Sequence, residues 1–336
     1  MHFCLCGPSA IEFWRHYDNR IPGTQVFGHT TGAGPSLPQA FPGNYFAPLQ
    51  DRAHLDASAA AIKAHDLQRW GIPSNQPLHV LVERKARRKS NSSIVFHTCT
   101  ASFPRNAILV IEGNLCVLSP EYTLLQAAQE RDDLGILLLI QEFCGCYSIL
   151  PNGNLFMRHP LTSVEAVSMA LTQASHLRGL ARARRMLPVA INGAGSPRET
   201  AVALLMCLPK RYGGYGLPKP TLNLSINLST NASLMWEKGN AFDLVWSQAG
   251  TAIEYDGRDA HKTPEQRDRD NARRNALAAD GFTLFVVTEG RLRDVRHMYA
   301  IAKSAAEHLG HRLVFRDPDF RGKHLELMDR LLAPHC

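Results

Sequence analysis

The sequence predicts a mixed α/β protein built from two domains. The chain has 336 residues, of which 45% are hydrophobic and 20% charged, and this is ordinary globular composition at a length typical of about two domains. Short β-rich segments alternate with helix-forming segments in both halves. The glycine-containing segment INGAGSP (191–197) separates two regions of different pattern. We therefore expect a mixed α+β domain over residues 1–190 and an α/β domain over residues 196–336.

The first half combines a small sheet with several helices. Residues 1–50 are rich in Gly and Pro and indicate only a short helix near 9–17. Capping residues favour helices over 56–70, which Gly71 would end, and from Pro120 onwards behind the N-cap Ser119. Further helical patterns cover 134–143 and 163–187. Four β-rich segments predict the sheet: LHVLVE (78–83), SSIVFH (92–97), AILVIEG (107–113) and LCVL (115–118).

The second half is predicted to follow the order αβββαβ, with a further helix and strand. Leucine and isoleucine alternate with Asn and Ser along TLNLSINLS (221–229), which is typical of a strand with one buried face. The remaining predicted elements are a helix over 196–208, strands AFDLVW (241–246) and TAIEYD (251–256), a charged helix over 264–280, a strand FTLFVVT (282–288), a helix over 292–309 and a strand RLVF (312–315).

Carboxylates interrupt two of these apolar strands. Alternation places Asp243 on the face opposite Phe242, and it places Glu254 and Asp256 together on one face. If the two strands are adjacent, with Gly250 at the hairpin end, Asp243 and Glu254 can converge. Partly buried carboxylates repel each other unless they are paired or bound to a cation, and hard oxygen ligands suit Mg²⁺. The pattern therefore indicates a cation site.

These residues resemble the PD-(D/E)xK nuclease superfamily, and specifically its bacterial branch related to very-short-patch-repair endonucleases. The resemblance covers about residues 196–290 and implies a restriction-endonuclease-like αβββαβ core. That branch shows a helix with Glu, a strand with Asp, a strand ending in Glu-x-Asp-Gly followed by His, and a helix patterned Asp-x-x-Arg-x-x-x-Leu-x-x-x-Gly. The matching residues here are Glu199, Asp243, Glu254, Asp256, Gly257, His261, Asp270, Arg273, Leu277 and Gly281.

The resemblance also implies a role for each site residue. Asp243 and Glu254 would bind Mg²⁺, or Mn²⁺ in its place, and Glu199 would position a metal-bound water or a second ion. His261 would donate to phosphate or transfer a proton, and Arg273 would contact phosphate or the developing negative charge. Asp256 stands where the superfamily usually has Lys, which leaves the group that activates water unassigned.

Each of these residues also has an ordinary structural interpretation. Ser196 and Glu199 form a capping-box pattern, which accounts for Glu199 without catalysis. Asp256 and Gly257 could simply end a strand in a turn. His261 and Arg273 lie in a highly charged segment (256–274) of the kind that usually forms a solvated helix face. Asp243 and Glu254 are harder to explain in this way, because nothing adjacent in sequence neutralises them.

The charge balance favours a polyanionic partner. The chain carries 37 Lys and Arg against 30 Asp and Glu, a net charge of +7. Two basic clusters are candidates for contact with nucleic-acid phosphates, although an exposed loop or helix face is the simpler interpretation of each. They comprise Arg84, Lys85, Arg87, Arg88 and Lys89 in a loop, and Arg182 and Arg185 in a helix.

The first half is faintly similar to the C-terminal region of the AbiE-type antitoxin family. The similarity rests on a strand such as LHVLVE, a basic loop, SSIVFH, and then LCVLSPEYTLLQAA. It implies a bacterial defence or toxin–antitoxin setting, with a cognate toxin or other defence protein as partner.

Two functional hypotheses follow. The first is a Mg²⁺-dependent DNA endonuclease-like protein, in which the N-terminal domain selects a substrate or partner. The second is a catalytically silent, DNA-binding or antitoxin-like transcriptional regulator that keeps the nuclease fold. We expect a cytoplasmic location without membrane association, because no export signal is visible and the longest apolar run, 134–140, is far short of the roughly 18 residues of a membrane span. The cysteines are expected to be reduced, and we assign no zinc site.

Overall fold

The structure is a computed structural model that describes residues 2–17, 49, 55, 67–83, 91–99, 104–174, 179–236, 241–257 and 263–333. It is a mixed α/β protein whose sheets contain both parallel and antiparallel strands. The chain divides into two compact units: the described residues up to Ala190 belong to the first unit, and those from Ile191 onwards belong to the second.

The first unit contains a five-stranded mixed sheet. Its strands are β1 (Phe3–Leu5), β2 (Leu78–Glu83), β3 (Ile94–Cys99), β4 (Ile108–Glu112) and β5 (Leu115–Leu118), in the spatial order β3-β2-β1-β5-β4. β1 pairs antiparallel with β2 and parallel with β5. Strands β2 to β5 confirm the predicted sheet. The central strand β1 was not predicted, because its three buried residues are too few to show a period.

Five helices and a two-stranded hairpin complete the described part of the first unit. The hairpin pairs β6 (Tyr147–Ile149) with β7 (Leu155–Met157) and was not predicted. Ser119 caps the Pro120 helix as predicted, since its side chain accepts from the backbone N–H of Tyr122. The helices are α1 (Gly7–His16), α2 (Pro120–Ala127), α3 (Asp133–Cys144), α4 (Val164–Gln173) and α5 (Leu180–Met186).

Two helix predictions in this unit need comment. The single helix over 163–187 is wrong, because α4 ends at Gln173 and α5 begins only after Gly179, whose φ of 78° is left-handed. A Cβ atom at Gly179 would lie 2.7 Å from the Cα of Gln129, so the chain passes too close for a side chain there. Most of the helix predicted over 56–70 lies outside the described residues. Its last four, Leu67–Trp70, form a 3₁₀ turn.

A fully buried arginine organises the hairpin of the first unit. Arg158 is 4% exposed and donates to Ser148 Oγ at 2.6 Å and to the carbonyl oxygens of Gly145, His159 and Glu142 at 2.9–3.2 Å. Burial, the dominant effect, lowers the pKa of Arg158 to about 10. The hydrogen bonds therefore compensate for a costly desolvation.

The second unit contains a four-stranded sheet in the order β11-β10-β9-β8. The strands are β8 (Thr221–Ser225), β9 (Ala241–Trp246), β10 (Thr251–Asp256) and β11 (Thr283–Thr288). β9 pairs antiparallel with both β8 and β10, and β11 pairs parallel with β10. All four strands were predicted, although β8 ends at Ser225 and not at residue 229.

Helices pack on three strands of this sheet. α6 (Pro197–Cys207) packs on β9 and β10, and α8 (Pro264–Ala279) packs on β11. Leu277 of α8 belongs to a buried cluster with Ile226, Phe242 and Ala252. The other helices are α7 (Thr230–Ser233), α9 (Glu289–Leu292), α10 (Val295–His308) and α11 (Phe320–Leu332).

The end of the chain departs from prediction. The strand predicted over 312–315 is wrong: no strand forms there, and the chain continues into the unpredicted helix α11. Lys210 Nζ donates to the carbonyl oxygen of Val314 at 2.9 Å, and the Phe315 ring packs on Phe320 at 4.3 Å. The segment is thus held by side chains, not by a β-ladder. None of the helices that the structure describes is long and apolar enough to span a membrane.

Candidate functional site

The hairpin of β9 and β10 brings the two strand acids together. The antiparallel register pairs Leu244 with Ile253, and Asp243 and Glu254 are the next residues along each strand. Beyond that pair, Asp243 Oδ2 accepts a hydrogen bond from the backbone N–H of Tyr255 at 2.6 Å. The Asp243 carboxyl is therefore fixed against β10, where the regular ladder stops.

The electrostatic environment of Asp243 is strongly unfavourable for its ionised form. Burial is the largest effect, and the charges of Glu199 and Glu254 add to it, so that the pKa of Asp243 rises from 3.8 to about 8. The Tyr255 hydrogen bond and the charge of Arg273 oppose this rise without cancelling it. At neutral pH the carboxyl would ionise readily only if a cation joined the cluster.

This shift predicts a specific pH dependence of stability. Between pH 3.8 and about 8 the unfolded chain has lost a proton that folded Asp243 retains, so the free energy of unfolding falls as pH rises through this window. Asp243→Asn cannot ionise, yet its amide oxygen can still accept from Tyr255. In EDTA we expect the variant and the wild type to be about equally stable near pH 4, and the variant to be more stable by several kcal/mol at pH 8. Urea unfolding at both pH values measures this, and a difference that does not change with pH would contradict it.

Glu199 is held in place by the start of α6. Its backbone N–H donates to Ser196 Oγ at 3.1 Å, and Ser196 Oγ donates to Glu199 Oε1 at 3.0 Å. The backbone N–H of Gly195 donates to Glu199 Oε2 at 2.7 Å. These bonds account for Glu199 as part of a helix cap, while its charge still acts on Asp243.

Asn223 is a site residue that the sequence pattern did not reveal. Among the described non-glycine residues, it alone has a left-handed backbone, with φ of 49°. It lies between Leu222 and Leu224, and the residues that pair with these two leucines on β9 flank Asp243. Its Nδ2 donates to Glu199 Oε2 at 2.9 Å and to the carbonyl oxygen of Gly193 at 2.8 Å. The only signal in the sequence is the residue type, because Asn tolerates this conformation better than most residues.

We expect Asn223→Ala to destabilise the second unit by about 2 kcal/mol, because it removes two hydrogen bonds and replaces Asn, which tolerates a left-handed backbone, by a residue that tolerates it less well. Asn223→Gly is the matched control. It loses the same bonds but adopts this backbone freely, so its loss should be about half as large. Urea midpoints measure both, and an equal loss in the two variants would show that the backbone conformation contributes nothing.

Glu254 is paired with Arg273 of α8. Arg273 Nη1 lies 2.7 Å from Glu254 Oε1 and 2.9 Å from Oε2, and Nη2 donates to the carbonyl oxygen of Ala241 at 2.7 Å. The guanidinium also lies 4.2 Å from the centre of the Phe242 ring. Arg273, expected to contact phosphate, thus neutralises one of the proposed metal-binding carboxylates.

A second polar group surrounds Tyr255. Its hydroxyl donates to Glu289 Oε2 at 2.7 Å, and Arg198 Nε lies 3.1 Å from the same oxygen. Burial, and then the hydrogen bond to Glu289, raises the pKa of Tyr255 to about 12, so the phenol stays protonated. No sequence pattern indicated this cluster, because its members come from three separate elements, β10, α6 and α9. Asp256, at the end of β10, is 8% exposed.

The remaining candidate residues are only partly described. His261 and the basic loop residues Arg84, Lys85, Arg87, Arg88 and Lys89 lie outside the described residues. Arg182 donates to the carbonyl oxygen of Gln129 at 3.1 Å, and Arg185 pairs with Asp133 at 2.7 Å. Both of these arginines therefore make contacts within the first unit.

The donor set suits a hard cation only in part. Within the described ranges, no three or more His, Cys, Asp or Glu side chains are arranged to hold a metal ion. Asp243 and Glu254 offer two carboxylates, whereas both oxygens of Glu199 accept hydrogen bonds from Gly195, Ser196 or Asn223. Two carboxylates are compatible with Mg²⁺, which keeps several waters and commonly binds one or two carboxylates together with substrate phosphate.

No family model, no curated protein and no solved structure matches this chain. The fold itself defines a mixed α/β protein of two units.

Proposed function

We propose that the second unit is a metal-dependent phosphodiesterase domain acting on DNA, and that the first unit selects a substrate or partner. The observation that carries this proposal is the partly buried carboxyl of Asp243 beside the charges of Glu199 and Glu254. Such a group is costly in a purely structural role, and a divalent cation would offset the repulsion.

The order of elements supports a restriction-endonuclease-like core. Helix α6, strands β8, β9 and β10, helix α8 and strand β11 follow the αβββαβ order, interrupted only by the short α7. The four strands lie in consecutive order in one sheet, and the acids lie on its two inner strands. This is the arrangement expected from the resemblance to the PD-(D/E)xK superfamily.

In this proposal Asp243 and Glu254 would hold Mg²⁺ or Mn²⁺, and Glu199 would position a metal-bound water or a second ion. The bound cation would polarise the scissile phosphate and lower the pKa of water. The Tyr255 backbone N–H keeps the Asp243 carboxyl in position. Asp256 cannot supply the positive charge of the usual Lys, so the proton acceptor for the attacking water is assigned to no described residue, and His261 is the candidate from the sequence.

The net charge of +7 and the basic run from Arg84 to Lys89 in the sequence support a polyanionic partner. The proposal places the protein in the cytoplasm, in a bacterial defence or toxin–antitoxin setting, with a cognate toxin or other defence protein as its protein partner.

A second candidate function is a silent DNA-binding or antitoxin-like regulator. The observation that favours it is the contact of Arg273 Nη1 with both oxygens of Glu254, which satisfies that carboxylate without a metal. A regulator of this kind binds DNA in the absence of Mg²⁺, and its binding weakens steeply with salt.

The two candidates are separated by incubating the purified full chain with supercoiled plasmid in Mg²⁺, in Mn²⁺ and in EDTA. The nuclease proposal predicts nicked or linear product with metal and none in EDTA. Intact plasmid under all three conditions, together with a salt-sensitive mobility shift of duplex DNA in EDTA, would instead favour the regulator.

A further inference from the structure

Both carboxylate oxygens of Glu254 are already occupied by one guanidinium nitrogen. Arg273 Nη1 lies 2.7 Å and 2.9 Å from them, so a cation cannot use Glu254 fully while this pair is intact. The two side chains are only 17% and 22% exposed, and they are therefore less screened by water than an ordinary surface pair. The Phe242 ring and the Ala241 carbonyl hold the guanidinium on its other sides.

The two members of the pair have different competing ligands. A divalent cation competes for the carboxylate of Glu254, and a phosphate oxygen competes for the guanidinium of Arg273. Each ligand alone must bear the free energy of breaking the pair. Once one has bound, the other no longer bears that cost, and this produces positive coupling between them.

We propose that Arg273 is a positioning residue whose pairing with Glu254 couples cation binding to the binding of DNA phosphate. This inference rests on the proposed metal site of Asp243 and Glu254. Arg273 acts by occupying Glu254. Without DNA the site therefore binds a cation weakly, and it binds the cation more tightly when a DNA phosphate has drawn Arg273 away from Glu254. Cleavage would then be confined to protein that is already bound to DNA.

The test is titration of Mn²⁺ into the full chain at physiological ionic strength, with and without a short DNA duplex whose phosphorothioate linkages resist cleavage. For the wild type we expect the duplex to tighten Mn²⁺ binding at least about fivefold. Arg273→Gln should bind Mn²⁺ more tightly than the wild type without DNA, and the duplex should then add little. If Arg273 only stabilised the fold, its substitution would not strengthen cation binding.

Arg267→Gln is the matched control, because Arg267 is an exposed arginine of the same helix and its loss changes the net charge equally. It should keep the wild-type coupling. The inference is overturned if Arg273→Gln binds Mn²⁺ no more tightly than Arg267→Gln, or if the duplex tightens binding equally in both variants. Mn²⁺ binding that is lost in Asp243→Asn but unchanged in Arg273→Gln would overturn this inference alone. Absence of Mn²⁺ binding in every variant would overturn the metal site as well.

Discussion

Asp243→Ala is expected to reduce metal-dependent DNA cleavage at least about 100-fold, because it removes one of the two carboxylates proposed to hold the cation. The substitution also leaves the backbone N–H of Tyr255 without its acceptor. Asp243→Asn separates these effects, since its amide oxygen can still accept from Tyr255 but carries no charge. Both variants should lose cleavage, and only the alanine variant should also lose stability. Initial rates of plasmid nicking and urea midpoints measure the two effects.

Asp268→Ala is the control for this prediction. Asp268 is an exposed acid of α8, and its loss changes the net charge of the chain by the same amount as Asp243→Ala. Its cleavage rate should remain close to that of the wild type. Equal rates for the wild type and Asp243→Ala would remove Asp243 from the metal site and with it the nuclease proposal.

The second large effect concerns the stability of the first unit. We expect Arg158→Met to destabilise the protein by about 3–5 kcal/mol, because the oxygens around the buried guanidinium lose a charged donor that Met cannot replace. Four acceptors are affected: Ser148 Oγ and the carbonyl oxygens of Gly145, His159 and Glu142. The lowered pKa of Arg158 shows that its burial is costly, so the hydrogen bonds must provide the compensation. Urea unfolding followed by circular dichroism measures the change.

Arg184→Met provides the comparison, since Arg184 lies exposed on α5. Its substitution should change the free energy of unfolding by less than about 0.5 kcal/mol. If Arg158→Met cost no more than Arg184→Met, the hydrogen bonds of Arg158 would merely balance its desolvation and would not organise the hairpin.

Much of the fold could be predicted because its strands carry strong local patterns. Apolar runs and alternation located β2 to β5 and β8 to β11, and the Ser-Pro pairs at Ser119 and Ser196 located two helix starts. The errors arose where tertiary contacts decide the structure. Strand β1 is too short to show a period, the helix predicted over 163–187 is interrupted where Gly179 meets the backbone of Gln129, and residues 312–315 are held by Lys210 and Phe320.

In the candidate site, too, local patterns could be predicted from the sequence and tertiary contacts could not. Asp243 and Glu254 were found because each interrupts an apolar strand, and the pairing of β9 with β10 places them side by side. The residues that pair with the acids of the site could not be predicted, because this pairing depends on contacts between distant segments. Arg273 reaches Glu254 19 residues away, and Asn223 reaches Glu199 24 residues away. The sequence indicates which groups carry charge, but not which of them neutralise each other.

The central claim is that β9 and β10 bring a divalent cation to Asp243 and Glu254. The most direct measurement replaces Mg²⁺ by Fe²⁺, adds ascorbate and peroxide, and maps by mass spectrometry where radicals formed at the bound ion cleave the polypeptide. We predict fragment ends near residues 243 and 254 that are suppressed by excess Mg²⁺ and lost in Asp243→Ala. Cleavage confined to other segments, or a pattern unchanged in Asp243→Ala, would contradict the claim.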